Sequence, residues 1–303
     1  MSEPSLQGAG EIEQTPERKG IKKGLYLIPT AFTAANVLMG FLSIMATLRG
    51  YQFLSNPTFE SILRATNEFD KAAIFIGWAT LFDALDGRVA RMTKTTTEIG
   101  VQFDSIADVL TFGIAPAVLA FSWGYGATFS YGTPLYNIGL FISFMYLMCG
   151  SFRLARFNVQ ASRPRPLSEG TAKVDKKHFV GLPIPPAAAL VAAMVHYSPT
   201  PLAALVPVKA FWYSCFLITL MAILGLLMVS TIKYTSFKSI GTGKKHIRLI
   251  LVMAAFAMLI WLYSRYALLA IVLIYVLHGV VIKAFSILTI GLMTKPLKSS
   301  NVE

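Results

Sequence analysis

Four aspartates lie close together in otherwise apolar sequence of membrane-spanning length: Asp83, Asp86, Asp104 and Asp108. The first two are three residues apart and the last two are four apart, so each pair shares one face of a helix. A carboxylate at the bilayer centre costs about 2.5–3.5 kcal/mol, and four cost on the order of 10 kcal/mol before their mutual repulsion. Divalent cations would offset this cost. The residues therefore predict a two-metal site for a hard cation, Mg²⁺ or Mn²⁺.

The two aspartate pairs are nearly symmetric about residue 95, and the polar segment TKTTTEIG separates them. If this segment is the turn of an antiparallel helical hairpin, the pairs face each other at similar depth. Gly87 and Gly100 would let a phosphate or nucleotide approach the helix backbone, although close helix packing also explains small residues. Arg91 could hold phosphate oxygens through two hydrogen bonds. Two cations can clamp a pyrophosphate, which predicts phosphoryl transfer.

The chain that must position these residues is apolar, since 55% of its 303 residues are hydrophobic and only 14% are charged. A soluble domain carries about 25% charged residues, so the composition indicates an all-α polytopic membrane protein. Eight runs have roughly the 20 residues that a bilayer-spanning helix requires. They lie at 26–47, 71–92, 103–125, 135–157, 181–198, 210–231, 246–263 and 266–289.

The distribution of Lys and Arg predicts the orientation of these spans, because cytosolic loops are enriched in both. With the N-terminus inside, the outer side keeps few of the 27 basic residues: Arg49, Arg64, Lys71, Lys209 and Arg265. Both termini and the aspartate hairpin are then cytosolic, and the cell (inner) membrane is the expected location. The net charge of +12 follows from this rule and would also attract anionic lipids. Nucleic-acid binding is disfavoured, because the basic residues lie on short loops between spans.

Written as a pattern, the hairpin reads D-x-x-D-G-x-x-A-R-x8-G-x-x-x-D-x-x-x-D. This pattern resembles the signature of the CDP-alcohol phosphatidyltransferases, membrane enzymes that displace CMP from a CDP-linked lipid or alcohol. The resemblance implies that the first three aspartates mainly bind metal and that Asp108 beside them is the general base. Asn36, a rare uncharged amide inside a span, is a further candidate contact, with an interhelical hydrogen bond as the other explanation. The predicted CDP-lipid-binding residues are Asn36, Asp86, Gly87, Ala90, Arg91 and Gly100.

Segments outside the hairpin are similar to the serine-using branch of this family. They are IPTAFTAANVLMGFLSI at 28–44, RLARFN at 153–158, FVGLPIPPAAA at 179–189 and STIKYTSFK at 230–238, where Thr235 replaces an expected proline. The resemblance implies transfer of a phosphatidyl group from CDP-diacylglycerol to L-serine. Arg153, Arg156 and Lys233 lie at cytosolic span ends and could bind serine or phosphate, although snorkelling also explains such residues.

Three regions are predicted: a disordered cytosolic tail at 1–24, a six-span transferase domain at 25–240, and two further spans with a short tail at 241–303. The last two spans could serve packing or dimerisation, and a homodimer is expected. Glycerol 3-phosphate and inositol phosphate are alternative acceptors. A divalent-cation transporter is a rival of another class, but the outer halves of spans two and three are apolar. The sequence leaves open the choice of Mg²⁺ or Mn²⁺, direct displacement or a covalent intermediate, and an ester or ether lipid.

Overall fold

The computed structural model describes residues 19–93, 98–162, 178–235 and 264–293. The helices and strands, in chain order, are α1 (Lys19–Gln52), α2 (Phe59–Thr93), α3 (Glu98–Asp108), α4 (Ala115–Ala120), α5 (Gly126–Thr128), α6 (Pro134–Ser162), β1 (His178–Val180), α7 (Ile184–Tyr197), α8 (Pro207–Val229), β2 (Lys233–Thr235) and α9 (Ser264–Met293). Two π-helical segments, Val109–Ile114 and Phe121–Tyr125, join α3, α4 and α5 into one long helical unit.

The described residues contain five helical segments that are long and apolar enough to cross a membrane. They are Thr30–Ser55, Ile99–Thr128, Pro134–Val159, Pro207–Val229 and Ser264–Lys283. This confirms the predicted α-helical membrane architecture. The predicted span 71–92 lies within α2, and the span 181–198 corresponds to α7, whose 14 residues extend about 21 Å. The predicted span 246–263 lies outside the described residues, so the total of eight spans stays a prediction.

A two-stranded antiparallel ribbon is an addition that the all-α prediction did not include. In it Phe179 of β1 pairs with Tyr234 of β2. The chain then turns at Gly181, whose φ is +82° and whose N–H donates to the Ile232 carbonyl at 2.8 Å. A side chain at Gly181 would place its Cβ 2.3 Å from the Met228 carbonyl oxygen, so only glycine fits. The ribbon therefore joins the start of α7 to the end of α8.

The third span changes its helical pitch directly after Asp108, where the π-helical segment Val109–Ile114 begins. Pro116 follows in α4 and has no N–H, so the carbonyl of Phe112 lacks its usual helical donor. The hydroxyl of Tyr146, which is buried on α6, donates to this carbonyl at 3.2 Å. Such wide turns are frequent at functional sites, and this one adjoins the last aspartate of the motif.

The first helix packs along α2 and against the third span. It is in tight contact with the third span at Gly40, where an added Cβ would lie 2.4 Å from Thr111 Oγ1 and 3.0 Å from Thr111 Cα. The Thr111 hydroxyl also donates to the backbone carbonyl of Asn36 at 3.2 Å. Because Thr111 lies three residues after Asp108, this contact fixes α1 next to the predicted catalytic residues.

We expect Gly40→Ala to destabilise the protein by about 1–3 kcal/mol, because the new methyl group forces α1 away from the backbone of the third span. Thermal unfolding of the purified protein in detergent would measure the change. Gly77→Ala on α2 is the matched control, because no atom lies within 4 Å of a Cβ at Gly77. Since alanine favours a helix over glycine by about 1 kcal/mol, the control variant should be as stable as the parent or more stable. Equal melting temperatures for the two variants would contradict the close packing at Gly40.

Candidate active site

The two arms of the predicted hairpin are α2 and α3, and they bring three carboxylates together. One carboxylate oxygen from each of Asp83, Asp104 and Asp108 lies within 4.8 Å of the other two. Asp83 comes from α2, while the other two lie one turn apart on α3. This three-carboxylate cluster offers hard oxygen ligands from two helices at a spacing that one divalent cation can bridge.

The fourth aspartate, Asp86, has a different environment. It is 6% exposed, and its Oδ2 accepts a hydrogen bond from the hydroxyl of Thr33 on α1. Its charge lies close enough to Asp83 and Asp104 to repel both. Thr33 therefore holds the orientation of Asp86 beside the cluster. Sequence reasoning missed Thr33, although a signal was present: Thr33 lies three residues before Asn36 and shares its helix face.

The residues present fit a divalent cation. Among the described side chains, no Lys or Arg forms an ion pair with any of the four aspartates. Asp108 is buried, and its Oδ1 has no hydrogen-bond partner among the described residues. A buried, unpaired carboxylate oxygen is costly unless a ligand satisfies it. Carboxylate oxygens are the protein ligands that Mg²⁺ and Mn²⁺ prefer, so the donor set matches either ion.

One buried basic residue, Arg153, lies close enough to this cluster for its charge to interact with it. It lies on α6, is only 7% exposed, and interacts electrostatically with Asp108. Its Nε is buried without a hydrogen-bond partner in the described residues. Five residues after Arg153 on α6, Asn158 Nδ2 donates to Ser105 Oγ of α3 at 2.8 Å. This bond ties α6 to the arm that carries Asp104 and Asp108, and sequence reasoning did not anticipate it.

Arg156 and Lys233 lie near the ribbon. The guanidinium of Arg156 donates to the Val229 carbonyl at 3.3 Å, at the end of α8. Lys233 is paired with Val180 through the backbone of β2, and its side chain lies outside the described part. Arg156 thus supports the junction of α7 and α8, and binding of serine or phosphate by either residue stays a prediction.

The predicted CDP-lipid contacts lie on α1, α2 and α3. Asn36 on α1 is 1% exposed, and both polar atoms of its amide are buried without a hydrogen-bond partner in the described residues. Gly87 is half-buried on α2 and Gly100 is exposed in the first turn of α3. The side chains of Ala90 and Arg91 lie outside the described part. The unpaired amide of Asn36 is therefore the best-defined polar group for a ligand on α1.

Known proteins share the sequence region that carries the four aspartates. The family model for CDP-alcohol phosphatidyltransferase matches residues 26–211, which contain all four aspartates. The chain belongs to this family. The sequence-based prediction of the family, and of an enzyme of this type, is confirmed.

Several curated relatives carry a more specific name. CDP-diacylglycerol–serine O-phosphatidyltransferase of Helicobacter pylori is 31% identical over 263 residues, which cover 85% of this chain and 91% of the relative. The enzyme of the same name from Saccharomyces cerevisiae is 36% identical over 165 residues, covering 54% of this chain and 51% of the relative. Archaetidylserine synthase of Methanothermobacter thermautotrophicus is 28% identical and covers 71% of this chain and 72% of the relative.

Proposed function

We propose that the protein transfers the phosphatidyl group of CDP-diacylglycerol to the hydroxyl of L-serine, giving phosphatidylserine and CMP. The observation that carries this proposal is the three-carboxylate cluster, with the unpaired Oδ1 of Asp108 at its buried end and Arg153 beside it. The arrangement provides anionic ligands for cations, a base for a hydroxyl group and a cation for an anionic substrate. These are the groups that displacement at a pyrophosphate by an amino acid requires.

In this mechanism the serine oxygen forms a bond to the lipid-linked phosphorus, and the bond from that phosphorus to the CMP oxygen breaks. Asp108 accepts the proton of the attacking hydroxyl, and CMP leaves as an anion. Divalent cations held by Asp83, Asp86, Asp104 and Asp108 would neutralise charge on the pyrophosphate and make the serine hydroxyl more acidic. A carboxylate is a weak base at pH 7, so a cation that makes the serine hydroxyl more acidic would do part of the work.

The CDP-lipid is assigned to the α1 and α2 side of the cluster. Thr33 orients Asp86, and the unpaired amide of Asn36 lies one turn further along α1. Gly87, Ala90, Arg91 and Gly100 complete the proposed surface for the nucleotide and its phosphates. Small residues at these positions would allow the ligand to approach the backbone, and Arg91 would bind phosphate oxygens.

Serine is proposed as the acceptor for two reasons. The curated relatives include enzymes named for transfer to serine. In addition, Arg153 is buried next to Asp108, so a cation for the serine carboxylate lies beside the base for its hydroxyl. The buried Arg153 would be desolvated for this contact already, which strengthens a charge-assisted hydrogen bond. Arg156 and Lys233 are proposed further contacts to serine or phosphate.

We infer from the distribution of basic residues that the cluster opens to the cytosol and that both termini lie there. CDP-diacylglycerol would reach the site from the same leaflet of the cell membrane. The homodimer predicted from the sequence would leave this arrangement unchanged, since the cluster draws its carboxylates from one chain.

We expect Thr33→Val to lower kcat/KM for CDP-diacylglycerol by about tenfold, because Asp86 loses the donor that orients it beside the cation site. Steady-state CMP release at saturating serine would measure the effect. Thr47→Val is the matched control on α1: Thr47 is also buried, but it donates to the Ser43 carbonyl within its own helix. Equal losses in the two variants would show that the Thr33 bond has no special role.

The acceptor is tested by offering each candidate alcohol in a separate reaction. Purified protein with Mg²⁺ or Mn²⁺ and CDP-diacylglycerol would be offered L-serine, glycerol 3-phosphate or inositol phosphate, and CMP release would be recorded. We expect CMP release in the reaction with L-serine and none in the reactions with the two phosphorylated alcohols. Release with either phosphorylated alcohol and not with serine would overturn the proposed acceptor while keeping the family chemistry. Divalent-ion flux through proteoliposomes without CMP release would instead support a transporter.

A further inference from the structure

The wide turn is the π-helical segment Val109–Ile114, which begins directly after Asp108. Its backbone follows the π pattern, since the N–H of Ala115 donates to the carbonyl of Leu110, five residues earlier. One extra residue in a helical turn rotates the residues before it by about 100° relative to those after it. The side of the third span on which Asp108 lies therefore depends on where the wide turn occurs.

Asp104 and Asp108 both precede the wide turn and lie on the α-helix α3. Their four-residue spacing keeps both carboxylates on one face of this helix, in the three-carboxylate cluster with Asp83. If the wide turn began a few residues earlier, it would lie between the two aspartates and rotate Asp108 away from that face. The three-carboxylate cluster thus requires that the wide turn stay after Asp108.

The hydroxyl of Tyr146 on α6 holds the wide turn at this position. It donates to the Phe112 carbonyl at 3.2 Å, and both residues are buried. This carbonyl lacks its usual helical donor, because the residue four positions later is Pro116. A buried carbonyl without a donor is unfavourable, so the bond from Tyr146 stabilises the arrangement in which Phe112 lies within the wide turn.

The neighbours of the wide turn on both sides restrict its movement. On the α6 side, an added Cβ at Gly113 would lie 2.8 Å from Leu147 Cδ1, so α6 is in tight contact there. On the α1 side, the Thr111 hydroxyl donates to the Asn36 carbonyl at 3.2 Å. The consecutive residues 111–113 are therefore held between two helices.

A second hydrogen bond from α6 lies on the other side of Asp108. Asn158 Nδ2 donates at 2.8 Å to Ser105 Oγ, which precedes Asp108 on α3, whereas the Phe112 carbonyl follows Asp108. The two donors occur in reverse order along α6, as expected for two antiparallel helices. Asp108 thus lies between two contacts with one neighbouring helix, and the bond from Tyr146 is the one that acts on the wide turn.

We propose that Tyr146 is a positioning residue for the reaction: its bond to the Phe112 carbonyl keeps the wide turn after Asp108 and so directs the Asp108 carboxylate into the three-carboxylate cluster. This inference rests on the proposed function, which makes Asp108 a cation ligand and the base. The role is indirect, since Tyr146 acts through the backbone of the third span.

The test is Tyr146→Phe, which keeps the ring and removes only the hydroxyl group. We expect kcat at saturating serine, CDP-diacylglycerol and Mn²⁺ to fall about tenfold, and the Kd of the substrate-free protein for Mn²⁺ to rise about tenfold, as for loss of a group that orients a metal ligand. CMP release measures kcat, and electron paramagnetic resonance of free Mn²⁺ measures Kd in detergent. A tyrosine with only a structural role would lower the melting temperature and leave both values unchanged.

Tyr125→Phe is the matched control. Tyr125 is a buried tyrosine of the third span, and its hydroxyl bonds with that of Ser143 on α6, so it joins the same two elements. It lies beyond the wide turn, in the second π-helical segment. This control should keep kcat and the Kd for Mn²⁺ within about twofold of the parent values, whatever its melting temperature.

The two readouts separate this inference from the proposed function. If the parent protein shows no serine-dependent CMP release, the proposed function fails, while a weaker Mn²⁺ affinity in Tyr146→Phe alone would still support the positioning of Asp108. If the parent is active and Tyr146→Phe keeps the parental kcat, only the inference is overturned. Equal Kd values for Mn²⁺ in Tyr146→Phe and Tyr125→Phe would also overturn it. A parent protein that binds no Mn²⁺ would contradict both.

Discussion

Replacing Asp108 with asparagine should lower kcat by about 10³-fold or more, with no loss of the folded protein. An amide has nearly the same shape as a carboxylate, but it cannot accept the proton of the attacking hydroxyl, and general bases typically contribute about 10²–10⁴-fold. It is also a weaker ligand for a divalent cation. In the structure, Asp108 is buried with an unpaired Oδ1, so asparagine should be tolerated there at least as well as the charge.

The measurement is serine-dependent CMP release at saturating concentrations of both substrates, with thermal unfolding measured in parallel. Glu60→Gln is the matched carboxylate-to-amide control, since Glu60 is exposed on α2 and pairs with Arg64 at 2.5 Å. Because an exposed ion pair contributes about 0–1 kcal/mol, this control should keep its activity. An Asp108→Asn variant with near-parental kcat would remove Asp108 from the mechanism and leave the cluster without a base.

Removal of divalent cations has the second large expected effect. We expect a chelator to abolish CMP release and added Mg²⁺ or Mn²⁺ to restore it, because three clustered carboxylates would otherwise repel the pyrophosphate. Asp83→Asn and Asp104→Asn should each lower kcat by at least about 100-fold, since even loss of an outer-shell partner costs about 10–100-fold in metal affinity or activity. Both variants should also raise the metal concentration that gives half-maximal activity.

Asp70→Asn provides the matched control for this series. Asp70 is an aspartate on the same helix as Asp83, but it bonds to His196 and has no place in the three-carboxylate cluster. Its replacement weakens the hydrogen bond to His196, yet it should leave the half-maximal metal concentration within about twofold of the parent value. Full activity in the presence of a chelator, or an unchanged metal requirement in Asp83→Asn, would contradict a metal site at the hairpin.

The membrane helices and the family could be predicted from the sequence because both depend on local patterns. Apolar runs of spanning length indicate helices without any knowledge of their partners, and eight motif positions at fixed spacing identify the hairpin. The helix face shared by Asp104 and Asp108 follows from a four-residue spacing alone. In the structure their carboxylates lie together with that of Asp83, from the other arm.

The remaining features depend on contacts between residues far apart in the chain. The bond from Thr33 to Asp86 and the bond from Asn158 to Ser105 each join residues that are 53 positions apart in the chain. No local sequence pattern predicts either bond. The ribbon formed by β1 and β2 is short and joins segments on either side of two helices.

In the proposed reaction, the serine hydroxyl attacks the lipid-linked phosphorus of CDP-diacylglycerol and releases CMP. The most direct measurement uses L-serine labelled with ¹⁸O in its hydroxyl group, purified protein, CDP-diacylglycerol and Mg²⁺ or Mn²⁺, followed by mass spectrometry of both products. We expect phosphatidylserine that retains the label and CMP that carries none, in equal amounts. Absence of labelled phosphatidylserine, or CMP release that does not depend on serine, would contradict it.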